Sequence, residues 1–385
     1  MSTLRNINFK KAIVLQTIAL VANTSWSIYN FRRGLIRKLM ELNYRVLVIA
    51  PQDNFSAALL AEGVEYVPLD MNNYGTNPLE EWRTYRSLRK IYRRYRPNLI
   101  FHYTIKPNIY GSLAASSCGI PSIAVITGLG HTFTHDNKLN RLVVFLYKMA
   151  LRKSREVWFL NESDREVFME KRIADNSVSI VLPGEGVDTE HFKASSKVPD
   201  HPLTFLYAGR MLKDKGVLDF VAAARIVKAK HPEVHFNMIG FIDQKNPNTV
   251  SFSDLLNWQK EKIVSYFGET TDIRPFVDSS DCVVLPSYYG EGLSRVLLEA
   301  ASMGKPIITT RNVGCEQLVM ENENGFLCNI RDPQDLAAKM MQLHALSTEE
   351  RVKMGKVSRS LVEAHYDEKK ILDIYLNKIQ NIIGK

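Results

Sequence analysis

Short runs of β-branched and aromatic residues recur along this chain, and each is followed by a stretch with helical spacing. AIVLQT (12–17), RVLVIA (45–50), NLIFHY (98–103), SIAVIT (122–127), EVWFL (156–160) and VSIVLP (178–183) form one series. LTFLYAG (203–209), VHFNMIG (234–240), SYFGE (265–269), DCVVLPS (281–287) and PIITT (306–310) form a second. Between them lie helical patterns such as NFRRGLIRKLMEL (30–42) and NKLNRLVVFLYKMALRK (137–153). Strands of this kind joined by helical crossovers predict an α/β protein whose parallel sheets are covered on both faces. Two series, in a chain of 385 residues that is too long for one ordinary core, predict two doubly wound, Rossmann-like domains.

The break falls in HFKASSKVPDHPL (191–203), which is polar, holds two prolines and lacks periodicity. The expected division is a first domain over 1–192, a linker over 193–202 and a second domain over 203–365. A C-terminal helix over 366–385 is expected to pack back on the first domain. From Pro333 onward the pattern is helical only. Ligands of open parallel sheets bind beyond the carboxyl ends of the strands, so residues just after the predicted strands are the ones to inspect.

Composition narrows the class. Hydrophobic residues make up 45% and charged residues 24%, which excludes a largely disordered chain. Cys118, Cys282, Cys315 and Cys328 form no CxxC pair and have no zinc spacing, so they read as reduced thiols of a cytoplasmic protein. The net charge is +9 and uneven: residues 1–192 carry 25 Lys+Arg against 17 Asp+Glu, and the remainder 25 against 24. The first half therefore holds the field that attracts a polyanion or an anionic membrane. No apolar run reaches the ~20 residues of a membrane span. AIVLQTIALVA after Arg5, Lys10 and Lys11 imitates a signal peptide, but Gln16 and Thr17 interrupt it and a first strand is the preferred reading.

Two motifs carry chemistry. In YAGRMLKDKG (207–216), Gly209 lets the chain turn at the strand end and brings Arg210 and Lys215 to the start of the helical pattern GVLDFVAAARIVKAK. Two cations at a helix N-terminus suit a diphosphate, although a pair of solvated loop charges has the same pattern. In PSYYGEGLSRVLLEAASMG (286–304), Gly290 and Gly292 flank Glu291, and Glu299 lies eight residues further on inside a helical pattern. Leu293 and Ser294 open that helix, where amides lack intrahelical acceptors and would face a phosphate. A carboxylate one turn in, Glu299, suits a ribose, and Glu291 can meet a second polar group beyond the phosphate. The plainer reading is a loop carboxylate and a half-buried helix glutamate.

The E-x7-E spacing after a glycine turn, with G-R-x4-K after the first strand of the second half, resembles the retaining nucleotide-sugar glycosyltransferases of family 4. The resemblance runs through FGETTDIRPFVDSSDCVVLPSYYGEGLSRVLLEAASMGKPIITTRNVGCEQLVMENENGFLC (267–328) and PGEGVDTEHF (183–192). SIYNFRRGLIRKL (27–39) and ITGLGH (126–131) are similar to the branch that extends bacterial lipid-linked oligosaccharides, including α-N-acetylgalactosaminyltransferases acting on undecaprenyl diphosphate sugars. The resemblance implies the two-domain GT-B fold with a cleft, the first domain on the acceptor side and the second binding a nucleotide sugar. It implies a UDP-sugar donor, an N-acetylhexosamine or hexose being carried, and a polyprenyl-diphosphate-linked saccharide acceptor. The expected location is the inner face of the cell membrane, held peripherally.

By the same resemblance, Arg210 and Lys215 hold the donor diphosphate, Glu299 binds the ribose, and Glu291 faces the transferred sugar. Gly292, Leu293 and Ser294 bring backbone to the phosphates. His131 matches a histidine contacting the donor sugar near the reacting carbon, and Gly268 and Ile273 lie where backbone reads the base. The chain departs from the family at ANTSWSIYN (22–30), where many members have a Gly-Gly pair; Ser25 and Trp26 there are the acceptor-side candidates. Ser294 is a second departure, from Pro or Gly.

Glycosyl transfer from a nucleotide diphosphate develops negative charge on the leaving phosphate, and fixed cations stabilise it. The chain has no DxD, so transfer is expected to need no metal cofactor. Retention is expected by same-face attack, with Glu291 orienting the sugar; the competing account makes Glu291 a nucleophile. His102, also after a strand, reads more readily as a packed residue.

PLEEWRTYRSLRKIYRRYRPN (78–98) combines Leu79, Trp82, Tyr85, Leu88, Tyr92 and Tyr95 at helical spacing with seven cations. It reads either as an interfacial helix whose Arg89, Arg93 and Arg94 meet anionic lipid, or as a crossover helix with solvated arginines. The two can hold together, with Arg93 and Arg94 facing lipid and Trp82 facing the core. Rival functions are a sugar-nucleotide 2-epimerase of the same fold and a basic nucleic-acid-binding protein. No nucleic-acid recognition module is visible, and a nicotinamide dehydrogenase fails for want of GxGxxG after the first strand.

Overall fold

The structure is a computed structural model that describes residues 15–73, 77–129, 133, 138–194, 201–244, 246–290 and 292–384. Strands and helices alternate as expected. The first series is β1 (Thr17–Val21), α1 (Ser25–Glu41), β2 (Arg45–Ala50), α2 (Ser56–Ala61), β3 (Glu65–Pro68), α3 (Pro78–Tyr95), β4 (Leu99–Tyr103), α4 (Ser112–Cys118), β5 (Ser122–Ile126), α5 (Lys138–Leu151), β6 (Glu156–Phe159), α6 (Glu162–Glu170) and β7 (Ser179–Val181). The second is β8 (Thr204–Ala208), α7 (Val217–Lys228), β9 (His235–Ile239), α8 (Phe252–Lys260), β10 (Ser265–Tyr266), α9 (Arg274–Asp278), β11 (Cys282–Leu285), α10 (Arg295–Ser302), β12 (Ile307–Thr310) and β13 (Gly325–Cys328). Three helices close the chain: α11 (Pro333–His344), α12 (Thr348–His365) and α13 (Glu368–Ile383).

The strands form a seven-stranded sheet in the order β3-β2-β1-β4-β5-β6-β7 and a six-stranded sheet in the order β10-β9-β8-β11-β12-β13. Recorded pairings are parallel: β1 takes β2 from Thr17↔Arg45 and β4 from Ile18↔Leu99, and β8 takes β9 from Thr204↔His235 and β11 at Phe205↔Cys282. Each order reverses once, between β1 and β4 and between β8 and β11. Ligand crevices of open α/β sheets form at that reversal.

By compactness the chain divides into residues 1–124 with 153–155 and 379–385, and residues 125–152 with 156–378. In the first unit β1 and β4 are buried throughout. In the second, Phe205 stacks on Phe236 at 5.5 Å between ring centroids and Phe220 meets Phe236 edge-on at 5.9 Å. Helix ends follow local chemistry. Asn77 caps α3 with Pro78 at its first position, and Ser347 and Glu350 form a capping box on α12. On α13, Tyr375 meets Trp158 edge-on at 4.7 Å.

Two readings shift. The first strand among the described residues is TIALV (17–21); residues 12–14 of the strand expected at 12–17 lie outside the described residues. The run AIVLQTIALVA offers two apolar halves, and the half after Gln16 is buried without interruption. β3 and β13 were not anticipated: EYVP opens on a glutamate and ends on a proline, and GFLC opens on a glycine, residue types depleted in strands. Residues 195–200 of the expected linker lie outside the described residues. No helix of the described residues is long and apolar enough to cross a membrane.

Candidate functional site

The reversal between β8 and β11 collects both sequence motifs. Gly209 and Arg210 leave the carboxyl end of β8, and Pro286 through Ser294 leave that of β11. The loops are laced together: Tyr288 N–H donates to the Asp214 carbonyl at 2.9 Å. Gly216 sits at the contact with φ +77°, and a Cβ there would lie 2.1 Å from the Pro286 carbonyl oxygen. Only glycine gives both that backbone and that approach.

Arg210 and Lys215 converge on one ring. The Arg210 guanidinium lies 5.8 Å and the Lys215 ammonium 4.8 Å from the Tyr289 centroid, both within cation–π range. Tyr289 is itself held by Ser287 Oγ, which accepts its amide at 3.2 Å, and by Asn312 Nδ2, which donates to its carbonyl at 2.7 Å. Two positive side chains are thus gathered over an aromatic face beside the start of α7. Motif spacing alone does not single out Tyr289, although its place just before Gly290-Glu291-Gly292 is a signal.

Glu299 sits on α10 with Arg295 one turn before it; Arg295 Nε donates to its carboxylate at 2.8 Å. Burial raises the Glu299 carboxyl above its ordinary value, and the Arg295 charge opposes this. Arg295 also donates to the Gly186 carbonyl at 2.7 Å, so it fixes Glu299 from a second element. Arg295 was not anticipated; the i, i+4 spacing of opposite charges is the signal that identifies it.

The glycine loop is pressed against two other turns. A Cβ on Gly292 would meet the Thr127 carbonyl oxygen at 2.6 Å. Its own carbonyl accepts from Asn161 Nδ2 at 2.8 Å. Leu293 packs against Gly184. One expectation fails here: the Ser294 amide donates to the Gly314 carbonyl at 2.8 Å and Ser294 is buried, so that amide is committed inside the protein. α10 begins only at Arg295, with no side-chain cap on its N-terminus. Glu291 and His131 lie outside the described residues. Gly268 and Ile273 follow β10, with Gly268 accepting from Gly240 N–H at 2.8 Å and Ile273 from Phe276 and Val277 at 3.0 Å each.

In the first unit, Ser25 and Trp26 begin α1, and Asp53 gathers both. Its Oδ2 accepts the Ser25 amide at 2.9 Å and the Trp26 amide at 3.1 Å, and its other oxygen accepts the Ser25 hydroxyl. Ser25 is wholly buried and Trp26 largely exposed. Ser25 therefore shapes the loop after β1, and Trp26 is the side chain that faces outward. His102 is packed as expected: Tyr92 Oη and Ser112 Oγ bracket its ring at 2.9 and 3.2 Å, and burial pushes its pKa down to about 3.

α3 buries Glu81, Thr84, Leu88 and Tyr92. Trp82 is not on the core side, contrary to expectation; it is 55% exposed and lies under the Arg86 guanidinium at 4.6 Å. Arg93 and Arg94 are exposed, whereas Arg89 is half-buried and its carbonyl accepts from Cys118 Sγ at 3.8 Å.

Among the described residues, His231, Glu233 and His344 are one grouping of metal-ligating types. It lies before β9, at the opposite end of the strands from Arg210 and Lys215, and its imidazoles are tilted 35° to each other with centroids 4.0 Å apart.

A fold of two parallel Rossmann-like sheets, with paired cations and a glutamate-bearing helix at the reversal of the second, defines a GT-B glycosyltransferase. Residues 17–161 match the family "Glycosyl transferase 4-like" and residues 188–361 match "Glycosyl transferases group 1". The chain belongs to these glycosyltransferases. A Campylobacter jejuni N,N'-diacetylbacillosaminyl-diphospho-undecaprenol alpha-1,3-N-acetylgalactosaminyltransferase is 26% identical over 95% of this chain and 99% of its own. An Escherichia coli UDP-Gal:alpha-D-GlcNAc-diphosphoundecaprenol alpha-1,3-galactosyltransferase is 24% identical over 79% of this chain and 81% of its own. Among solved structures, a Rickettsia africae glycosyltransferase superposes with a TM-score of 0.79 at 19% identity, over 97% of this chain and 100% of that one.

Proposed function

We propose that this glycosyltransferase moves a sugar from a UDP-sugar to a polyprenyl-diphosphate-linked saccharide, with retention of configuration and without a metal ion. The observation that carries the reading is the convergence of Arg210 and Lys215 on Tyr289 at the β8–β11 reversal. Fixed cations there stabilise charge as it develops on the leaving diphosphate, and they do so without reorganising during reaction. Glu299, held by Arg295, accepts the ribose hydroxyls. The N-terminus of α10, which has no side-chain cap, adds dipole attraction for the phosphates. Glu291 orients the transferred sugar and His131 contacts it near the reacting carbon. The leaving phosphate oxygen takes the acceptor's proton on the same face.

The acceptor class is supported by the two relatives, whose names both specify undecaprenol diphosphate saccharides. The comparisons favour transfer over the epimerase and nucleic-acid alternatives. An acceptor anchored in a bilayer places the enzyme peripherally on an anionic membrane, at the cytoplasmic face where nucleotide sugars are made.

The test is UDP release by purified enzyme from a panel of UDP-sugars, with and without a synthetic polyprenyl diphosphate saccharide, in excess chelator. Acceptor-dependent release and an α-linked product from an α-linked donor support the reading. Release independent of acceptor, or abolished by chelator, contradicts it.

A further inference from the structure

α5 presents an apolar face to solvent. Leu139, Leu142, Phe145 and Met149 recur at spacings of three, three and four, and are 41%, 52%, 57% and 49% exposed. Intervals of three and four place these side chains on one stripe. The opposite side is firmly seated: Asn140, Tyr147, Ala150 and Leu151 are buried, and Tyr147 meets Phe168 edge-on at 5.2 Å. The exposed stripe is thus not a loosely attached segment. Soluble proteins rarely leave such a contiguous patch uncovered.

Charge identifies what covers it. Lys138–Leu151 contains no Asp or Glu. Arg141, Lys148 and, just past the helix end, Arg152 project on the flank next to the stripe, with Arg141 and Arg152 exposed. At ~1.5 Å rise per residue the helix is about 20 Å long, too short to cross a bilayer of ~30 Å but suited to lying in its surface. An apolar stripe bordered by cations is what an interfacial helix needs: the stripe enters the acyl boundary while the cations meet anionic headgroups. A second copy of this chain is a poorer occupant, because a two-fold contact through α5 would bring its cations towards their own copies.

We propose that α5 docks the enzyme on an anionic bilayer, inserting Leu139, Leu142, Phe145 and Met149 and setting Arg141, Lys148 and Arg152 against headgroup phosphates. This deepens the reading of a lipid-linked acceptor and rests on it for its purpose. The surface differs from the arginine-rich α3 that the sequence first suggested.

The experiment is flotation of the full chain with vesicles of phosphatidylcholine alone or with 30% phosphatidylglycerol, without donor or acceptor. Wild type is expected to float with the anionic vesicles and to be released by high salt. Leu142→Glu with Phe145→Glu is expected to lower binding at least tenfold. Arg141→Gln with Lys148→Gln and Arg152→Gln is expected to remove the preference for phosphatidylglycerol. In case the double glutamate variant misfolds, Phe145→Trp reads insertion directly: the emission it adds over wild type is expected to shift to the blue on adding anionic vesicles. Unchanged binding by the glutamate variant, no such shift in the Phe145→Trp variant, or a wild-type dimer in solution that the glutamate variant dissolves would each overturn the proposal. So would loss of binding on Arg93→Glu with Arg94→Glu while the α5 variants still bind. UDP release with a short-chain, water-soluble acceptor, assayed separately, tells failure of docking from failure of the transferase reading.

Discussion

The side-chain amide of Asn161 donates to the carbonyl of Gly292 across 2.8 Å. The same residue caps α6, its Oδ1 accepting the Asp164 amide at 2.7 Å. One buried side chain thus ties the end of β6 to the glycine loop after β11, whose residues precede the α10 site. Asn161→Ala is expected to leave the Gly292 carbonyl unpaired and α6 uncapped, lowering stability by about 1–3 kcal/mol. Asn161→Asp keeps the cap and removes the donor. It also sets a buried carboxylate oxygen against the Gly292 carbonyl, so it is expected to cost at least as much stability as the alanine while keeping α6 capped, and to raise KM for the nucleotide sugar, measured by steady-state kinetics beside urea unfolding.

The paired cations make a sharper prediction. Lys215→Ala and Arg210→Ala should each lower kcat by roughly 10²–10³, the cost of losing one preorganised donor to developing charge. Tyr289→Phe preserves the aromatic face and should stay near wild type. Tyr289→Ala frees both cations to wander and should lose about tenfold in kcat/KM, roughly the worth of a cation–π contact. Equal loss in the two Tyr289 variants would mean that the hydroxyl matters and the ring does not.

Gly216 and Gly268 separate crowding from backbone strain. Both have positive φ, +77° and +79°, but a Cβ meets Pro286 at 2.1 Å in the first and nothing within 4 Å in the second. Gly268→Ala should cost about 1 kcal/mol, the strain of a left-handed residue. Gly216→Ala adds a backbone clash and should lower Tm much further, with loss of donor binding. Calorimetric scans of the two variants decide it.

Much of this was legible beforehand, and the limits are physical. Parallel strands buried on both faces leave unbroken apolar runs, so RVLVIA and DCVVLPS declared themselves. The strand after Gln16 was misplaced because its apolar neighbours continue on both sides. Arg210, Lys215 and Glu299 were readable because glycine turns and helix starts fix them locally. Asn161, Asp53 and Tyr289 act through partners distant in sequence or through a ring whose direction the tertiary fold sets, whereas Arg295 had a local signal in its spacing to Glu299 and only its bond to Gly186 is distant. The committed amide of Ser294 depends on Gly314, twenty residues away, and no local pattern announces it. Trp82 was expected in the core because aromatic residues usually go there; α3 instead buries Glu81 and Thr84.

Asp164 gives a pH signature. Its carboxyl is buried, Oδ2 has no partner among the described residues, and burial pushes its pKa up to about 6. The unfolded value is about 3.9. A raised folded pKa means the native state binds the proton more tightly. This contribution therefore favours folding below about pH 4 and is lost as pH rises to 6, where the buried carboxylate is charged. Asp164→Asn is expected to gain up to about 3 kcal/mol over wild type at pH 7.5, at ~1.4 kcal/mol per unit, and nearly nothing at pH 4. Urea midpoints at the two pH values show it, and a pH-independent difference would count against the buried charge.

The central claim is that fixed side-chain cations grip the donor diphosphate without a divalent ion, and calorimetric titration of UDP into chelator-treated protein measures it most directly. The account predicts binding unchanged by added magnesium in wild type and weakened at least tenfold in Lys215→Ala. Binding that appears only with magnesium, or that is indifferent to Lys215, would contradict it.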